Sequence, residues 1–431
     1  MARRLDARAP DFARDFTALI SAKRETEEDV AQAVRAIIAD VRARGDAALA
    51  ELSAKFDKVT LTAQTLRVTA KEMAEAEAQC SAEALKALDV AARRIEDYHR
   101  RQIPKDETYT DEIGAKLGWR WTALDSVGLY VPGGTASYPS SVLMNAIPAR
   151  VAGVARIVMV TPASGGKLNP LVLAAAKRAG IAEVYRVGGA QAVAALAYGT
   201  QTIAPVDKIV GPGNAYVAAA KREVFGIVGI DSIAGPSEIL VIADAANDPG
   251  WIAADLLSQA EHDASSQSIL ITDDAAFADK VSAAVERALE TLPRKAIASA
   301  SWRDFGGIVV VEKLEDAAPL SDRIAPEHLE LAVEHPDALL RRVRHAGAIF
   351  LGRNTPEAMG DYIAGPNHVL PTARTARFSS GLSVLDFVKR TTLLSLSREA
   401  INEIGPAAVA LAEAEGLDAH ASSVAARLNR T

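Results

Sequence analysis

From residue 127 onward, short β-branched runs alternate with helical stretches of roughly ten residues, and this alternation restricts the fold more than any other feature of the chain. Strands are expected at 127–130, 156–160, 183–187, 208–210 and 227–230. Helices are expected at 170–179 and after the turns Gly188-Gly189 and Gly211-Pro212-Gly213-Asn214. A second series follows, with strands at 239–242, 269–272, 308–311 and 348–351 and helices near 250–262, 274–292 and 336–345. Strands that alternate with helices form βαβ units with right-handed crossovers and parallel sheets. Two such series predict two Rossmann-like α/β lobes.

The flanks read differently. Thr26-Glu27-Glu28-Asp29 has the form of a capping box, followed by Val30, Val34, Ile37 and Val41 on one helical face and a stop near Gly45. Thr69-Ala70-Lys71-Glu72 is a second box, opening an Ala/Glu-rich stretch to about Gln102 with Leu85, Leu88 and Ile95 as its buried stripe. After Gly381 the pattern is helical again, at 398–415 and 420–428, joined at Gly416. That tail is too short for a core of its own. The expected organisation is therefore a helical segment at 1–24, a first α/β lobe from 25–128 and 237–380, a second lobe at 129–236, and a helical tail at 381–431.

Several classes of function are set aside by composition. A net charge of −7 supplies no basic patch for nucleic acid. A single cysteine, Cys80, excludes an internal disulfide and points to a reducing, cytoplasmic setting. No apolar run approaches the roughly 18 residues of a membrane span, and Met1 to Pro10 lacks the apolar centre of a signal peptide.

Three glycine-bearing turns, at 133–134, 188–189 and 211–213, fall at expected strand C-termini, where open α/β sheets bind ligands. The last has Asp231 twenty residues on, as in a dinucleotide fingerprint. Pro212 stiffens that turn and Tyr216 takes the place of the third glycine, so a plain βα turn accounts for it equally well. In Ser258-Gln259-Ala260-Glu261-His262-Asp263 the helical spacing puts Gln259 and His262 on one face and Glu261 on another. An imidazole beside an amide oxygen is half of a metal site, although a solvated helix end is the simpler reading of this stretch alone. In Ile324 to Glu330, Pro326 reads as the first turn of a helix, from which Glu327 and His328 diverge by about 100°. Both could border one cleft as general bases, or simply begin a capped helix. Asp361 and His368 lie in a loop rich in breakers, and Glu415 and His420 lie where the last two helices join. His99, His335 and His345, in charged helical surroundings, read as surface residues.

Taken together these stretches resemble the histidinol dehydrogenase family over nearly the whole chain. The most specific pieces are Y-V-P-G-G-T-A-S-Y-P-S-S-V-L-M-N-A at 130–146, G-P-G-N at 211–214, A-G-P-S-E at 234–238 and L-S-Q-A-E-H-D at 257–263. R-I-A-P-E-H-L-E at 323–330, G-P-N-H-V-L-P-T at 365–372 and F-S-S-G-L-S-V at 378–384 add to them. The resemblance implies an intertwined homodimer that oxidises L-histidinol to L-histidine with NAD and one zinc ion per subunit. It implies Gln259, His262, Asp361 and His420 as zinc ligands and Glu327 and His328 as the catalytic pair. The substrate would be bound by Ser237, Glu415 and His328 together with Glu327 and the ligand residues. Tyr130, Gln191 and Asn214 would meet the nucleotide, and His420 and Glu415 would come from the partner subunit. A related dehydrogenase of another amino alcohol or polyol, or a non-catalytic small-molecule binder, are the competing expectations.

Overall fold

The computed structural model describes residues 2–22, 28–133, 138–233 and 235–428. Two wholly parallel sheets form its centre. In the five-stranded sheet the order is Glu183–Tyr185, Arg156–Val160, Ser126–Tyr130, Lys208–Val210 and Gly229–Ile230. In the six-stranded sheet it is Arg3–Asp6, Gly307–Val310, Gln267–Thr272, Glu238–Ala243, His328–Ala332 and Ala348–Leu351. All six residues of Glu238–Ala243 and of Gln267–Thr272 are buried, as expected of strands covered on both faces by crossover helices.

The two-residue period of each strand divides its side chains between two cores. Val127 and Leu129 meet helices Pro139–Ala152 and Pro170–Ala179, whereas Val158 and Val160 meet Gly189–Tyr198 and Ala215–Val224. In the other sheet Ile239 and Val241 face helix Pro249–Ala260, and Leu240 and Ile242 face Phe12–Ile20 and Ala317–Ile324. The two lobes thus arise where the strand–helix alternation places them.

The structure departs from the sequence reading in five places. The segment 1–24 opens with strand Arg3–Asp6, which pairs with Gly307–Val310, before helix Phe12–Ile20. With Leu5 as its one large apolar residue, that strand shows no alternation to read. Helices between Glu28 and Arg100 cover the five-stranded sheet: Val34, Val41 and Leu49 join one of its cores, and Met73, Leu88 and Ile95 the other. The domain reading attaches 25–128 to the other lobe. An amphipathic stripe shows which face of a helix is buried, not which sheet receives it. A third sheet, antiparallel, joins Val388–Ser395 to Lys116–Ala123 and Glu107–Thr110. The first of these lies in the tail read as helical, and seven of its eight residues are exposed, so burial left no pattern in it. His99 is fully buried: its Nδ1–H donates to the Ile95 carbonyl (2.7 Å), and its Nε2 faces the Asn367 amide (3.4 Å). Finally, Glu327 and His328 do not begin a helix. Ala325 closes helix Ala317–Ile324 in the left-handed conformation (φ 47°), and the chain passes through Pro326 directly into strand His328–Ala332.

The Thr69 box forms as read, with Thr69 Oγ1 accepting from Glu72 N–H (3.2 Å) and Glu72 Oε2 from Thr69 N–H (2.8 Å). Caps of this kind contribute about 1 kcal/mol. The Thr26 pattern and residues 134–137 of the first glycine turn lie outside the described residues. Helices Arg398–Ala414 and Asp418–Leu428 pack on each other, Gly405 lying against Val424 and Leu428.

Candidate active site

A cleft of about 540 Å³ lies between the lobes. From the five-stranded sheet it takes the segments that follow the strands, Pro132 and Gly211 to Ala215. From the six-stranded sheet it takes the segments at which strands begin: Ser237 before Glu238–Ala243, His262 before Gln267–Thr272, and Glu327 with His328. One sheet thus contributes its C-terminal edge and the other its N-terminal edge.

Glu327 and His328 are organised by the backbone of a single residue. Glu238, first residue of its strand, donates its N–H to Glu327 Oε2 (2.9 Å), and its carbonyl accepts from His328 Nδ1 (3.0 Å). The pairing of His328 with Ile239 sets this arrangement. With Nδ1 committed, Nε2 is the nitrogen left to exchange a proton with a bound molecule. It lies 3.5 Å from Asp361 Oδ1 and 3.7 Å from Glu357 Oε1, and has no hydrogen-bond partner among the described residues. Burial opposes charge on His328, but Glu327, Asp361 and Glu357 outweigh it and push the imidazole up to about 10. Burial pushes the Glu327 carboxyl up to about 8. Burial also works against the Asp361 carboxylate, yet His328, His368 and His262 hold it down at about 2. The His262 imidazole is lowered by burial.

Asp361 stands on helix Glu357–Tyr362, one turn after Glu357 and on the same face. The sequence reading passes over Glu357, although its spacing from Asp361 is visible in P-E-A-M-G-D. Glu357 is 2% exposed and accepts from Ser258 Oγ (3.0 Å). Gln259 is fully buried behind the cleft. With its amide turned nitrogen-first to Glu357 it donates to Oε1 (3.2 Å), and its oxygen accepts from Glu238 N–H (3.2 Å). His368 also lines the cleft, its Nδ1 on the Asp361 carbonyl (2.8 Å) and its Nε2 on Ser141 Oγ (3.1 Å).

On the opposite wall Asn214 caps helix Ala215–Val224, its Oδ1 accepting from Tyr216 and Val217 N–H. Tyr130 and Gln191 lie beside the Gly188-Gly189 turn: the Tyr130 hydroxyl accepts from Gly189 N–H (3.0 Å), and Gln191 folds back on Gly189. Asp231, the acidic residue of the partial fingerprint, accepts from Gly211 N–H (2.8 Å) and pairs with Lys221. It is therefore engaged with protein. Glu415 and His420 remain on the exposed tail hairpin, and neither lines the cleft.

Among the described residues, His328, Glu357 and Asp361 bring ligand atoms within 4.8 Å of one another and could hold a metal ion. This trio shares only Asp361 with the quartet implied by resemblance. The site as a whole offers a base with one committed and one free nitrogen, a second buried carboxyl beside it, and N/O donors for a cation.

A family model described as histidinol dehydrogenase matches residues 20–428. The histidinol dehydrogenase of Rhizobium meliloti (strain 1021) is 66% identical over 429 residues, covering 100% of this chain and 99% of the relative. That of Rhodospirillum rubrum is 67% identical over 431 residues, covering 100% and 99%. The crystal structure of histidinol dehydrogenase from Elizabethkingia anophelis superposes with a TM-score of 0.95 at 39% identity, over 99% of this chain and 98% of that one.

Proposed function

The chain belongs to the histidinol dehydrogenase family, and on that premise we propose that it converts L-histidinol to L-histidine through bound L-histidinal, with NAD as hydride acceptor and one zinc ion per subunit. L-Histidinol, water and two NAD⁺ give L-histidine, two NADH and three protons. The observation that carries this reading is the Glu238 backbone, whose N–H and carbonyl fix Glu327 and His328 side by side and leave His328 Nε2 open toward Asp361.

When bound, NAD would supply the hydride acceptor for both oxidations; in the first, His328, deprotonated beforehand, takes the substrate's hydroxyl proton at Nε2. His328 passes that proton to solvent, the Glu327 carboxylate takes a proton from the water that adds to the aldehyde, and His328 then takes the hydrate's hydroxyl proton in the second oxidation. Ser237 and Glu415 hold the substrate, and Tyr130, Gln191 and Asn214 hold the nucleotide. Gln259, His262 and Asp361 with a second subunit's His420 suit zinc as an N/O donor set. When bound, zinc would orient the substrate's amine and imidazole and supply positive charge. The alternative trio is less suited, because His328 cannot be both ligand and base, and Glu357 already serves Ser258 and Gln259. Retention of the aldehyde is favoured by the buried surroundings of the pair.

A homodimer with shared sites is supported by the exposed tail. Leu394 and Leu411 are each 66% exposed, and Glu415 and His420 have no role in the single chain's cleft. A cytoplasmic location is supported by the lone Cys80. The test is NADH formation from a limiting amount of L-histidinol, with and without removal of the metal by a chelator. Two NADH per L-histidinol, lost on metal removal and regained with zinc, is the expected result. One NADH per substrate, or full activity without metal, would overturn the reading.

A further inference from the structure

The buried pair Lys221–Asp231 takes no part in the chemistry above, yet it lines the cleft. Its side chains are 2% and 5% exposed. Both partners grip the same residue: Asp231 Oδ2 accepts from Gly211 N–H (2.8 Å), and Lys221 Nζ donates to the Gly211 carbonyl (3.0 Å). Asp231 ends the strand next to Gly211, its N–H on the Ile209 carbonyl (3.3 Å), and Lys221 lies two turns along the helix that Asn214 caps. One ion pair thus ties the strand end, the turn and the helix together.

Gly211 needs such a hold. Its φ is +109°, and a Cβ there would stand 2.2 Å from the Tyr130 carbonyl oxygen, so the turn is pressed against the neighbouring strand. Buried ion pairs add little net stability, because desolvation offsets their attraction. A core position would be filled as well by apolar side chains. What apolar side chains lack is a donor and an acceptor for the carbonyl and N–H of one glycine.

We propose that Lys221 and Asp231 are a positioning pair for the nucleotide side of the cleft, holding both backbone polar groups of Gly211 so that Pro212, Gly213 and Asn214 are presented to NAD. The inference rests on the cofactor reading above. It is tested in the zinc-loaded, full-length enzyme with two double variants. In K221Q/D231N a neutral pair keeps a donor and an acceptor near Gly211. In K221M/D231L the space is filled and both are gone. The KM for NAD rises in order, at least threefold in K221Q/D231N and at least tenfold in K221M/D231L. The KM for L-histidinol and the zinc content stay within twofold of wild type. If K221M/D231L does not fold, K221Q/D231N alone must meet its threefold rise. An unchanged KM for NAD in a folded variant overturns the inference, and so does a comparable rise of both KM values together with a fall in zinc content and thermal midpoint. Absence of saturable NAD dependence in the wild type would instead overturn the cofactor reading itself, and the inference with it.

Discussion

Replacing Glu357 by Gln keeps the size of a buried side chain and removes its charge. The carboxylate accepts from Ser258 Oγ at 3.0 Å and from the Gln259 amide at 3.2 Å, and it lies 3.7 Å from His328 Nε2. Because a carboxylate only accepts, it dictates which end of Gln259 faces it and leaves the Gln259 oxygen for other partners. A Gln at 357 satisfies either orientation, so the oxygen is no longer committed. Residues that orient a metal ligand in this way typically contribute about 10–100-fold to metal affinity. At about 1.4 kcal/mol per decade this is roughly 1.4–2.8 kcal/mol, close to the ~1.5–3 kcal/mol of one charged hydrogen bond. The same change removes one of three carboxylates that hold His328 at about 10. With fewer anions around it the imidazole releases its proton at lower pH, so the rise of alcohol oxidation with pH moves toward acid. Zinc content against buffered free zinc, and the rate–pH profile of the zinc-saturated variant, measure the two effects separately. Unaltered zinc affinity, together with a profile that stays in place or moves toward alkali, would refute the reasoning.

Three further outcomes are expected. Glu327→Gln impairs the aldehyde-to-acid step by about 10²–10⁴-fold, the usual worth of a general base, and alcohol oxidation less; single-turnover rates from L-histidinol and from L-histidinal compare the two, and equal losses count against Glu327 as the water's base. Inactive His420→Asn and inactive Glu327→Gln subunits, when mixed, form heterodimers with one working site of the two, and isolated heterodimers without activity would exclude sharing of His420 across the dimer. Burial lowers the His99 imidazole below its ordinary 6.5, so the unfolded chain takes up a proton there before the native one does. The stability this contributes is present above 6.5 and is lost as pH falls through the folded value. His99→Asn therefore flattens the acid side of a plot of urea midpoint against pH; an unchanged slope would show that His99 does not titrate differently in the two states.

Elements with a period were legible, because burial on both faces writes itself into runs such as Glu238–Ala243. Strand Val388–Ser395 was not, because it is an edge strand paired, among the described residues, only with Lys116–Ala123 and almost wholly exposed, so its residues answer to no core in this chain. The stretch Ile324 to Glu330 shows a subtler failure. Pro326 suits a helix start, but Ala325 has already ended one, and a left-handed alanine has no signature in sequence. His99 was misjudged because its charged neighbours point outward on the same helix, while its own ring enters the seam with Asn367. Glu357 and Lys221 were passed over, and Asp231 was read only as a fingerprint acid, for a shared reason. Their partners are separated by 10 to 99 residues and meet only through the sheet.

The use of opposite sheet edges has an electrical consequence. Parallel strands and their crossover helices run in opposite directions, so the C-terminal edge of a sheet collects helix N-termini and the N-terminal edge collects helix C-termini. On the five-stranded side, helices Pro139–Ala152 and Ala215–Val224 turn their partly positive ends to the cleft, where Ser140, Ser141 and Ala215 line it. On the six-stranded side, helix Pro249–Ala260 ends in partly negative carbonyls just before His262. The backbone alone thus gives the cleft a polarity, one wall suited to phosphate oxygens and the other to a metal cation and an ammonium group, before any side chain is counted.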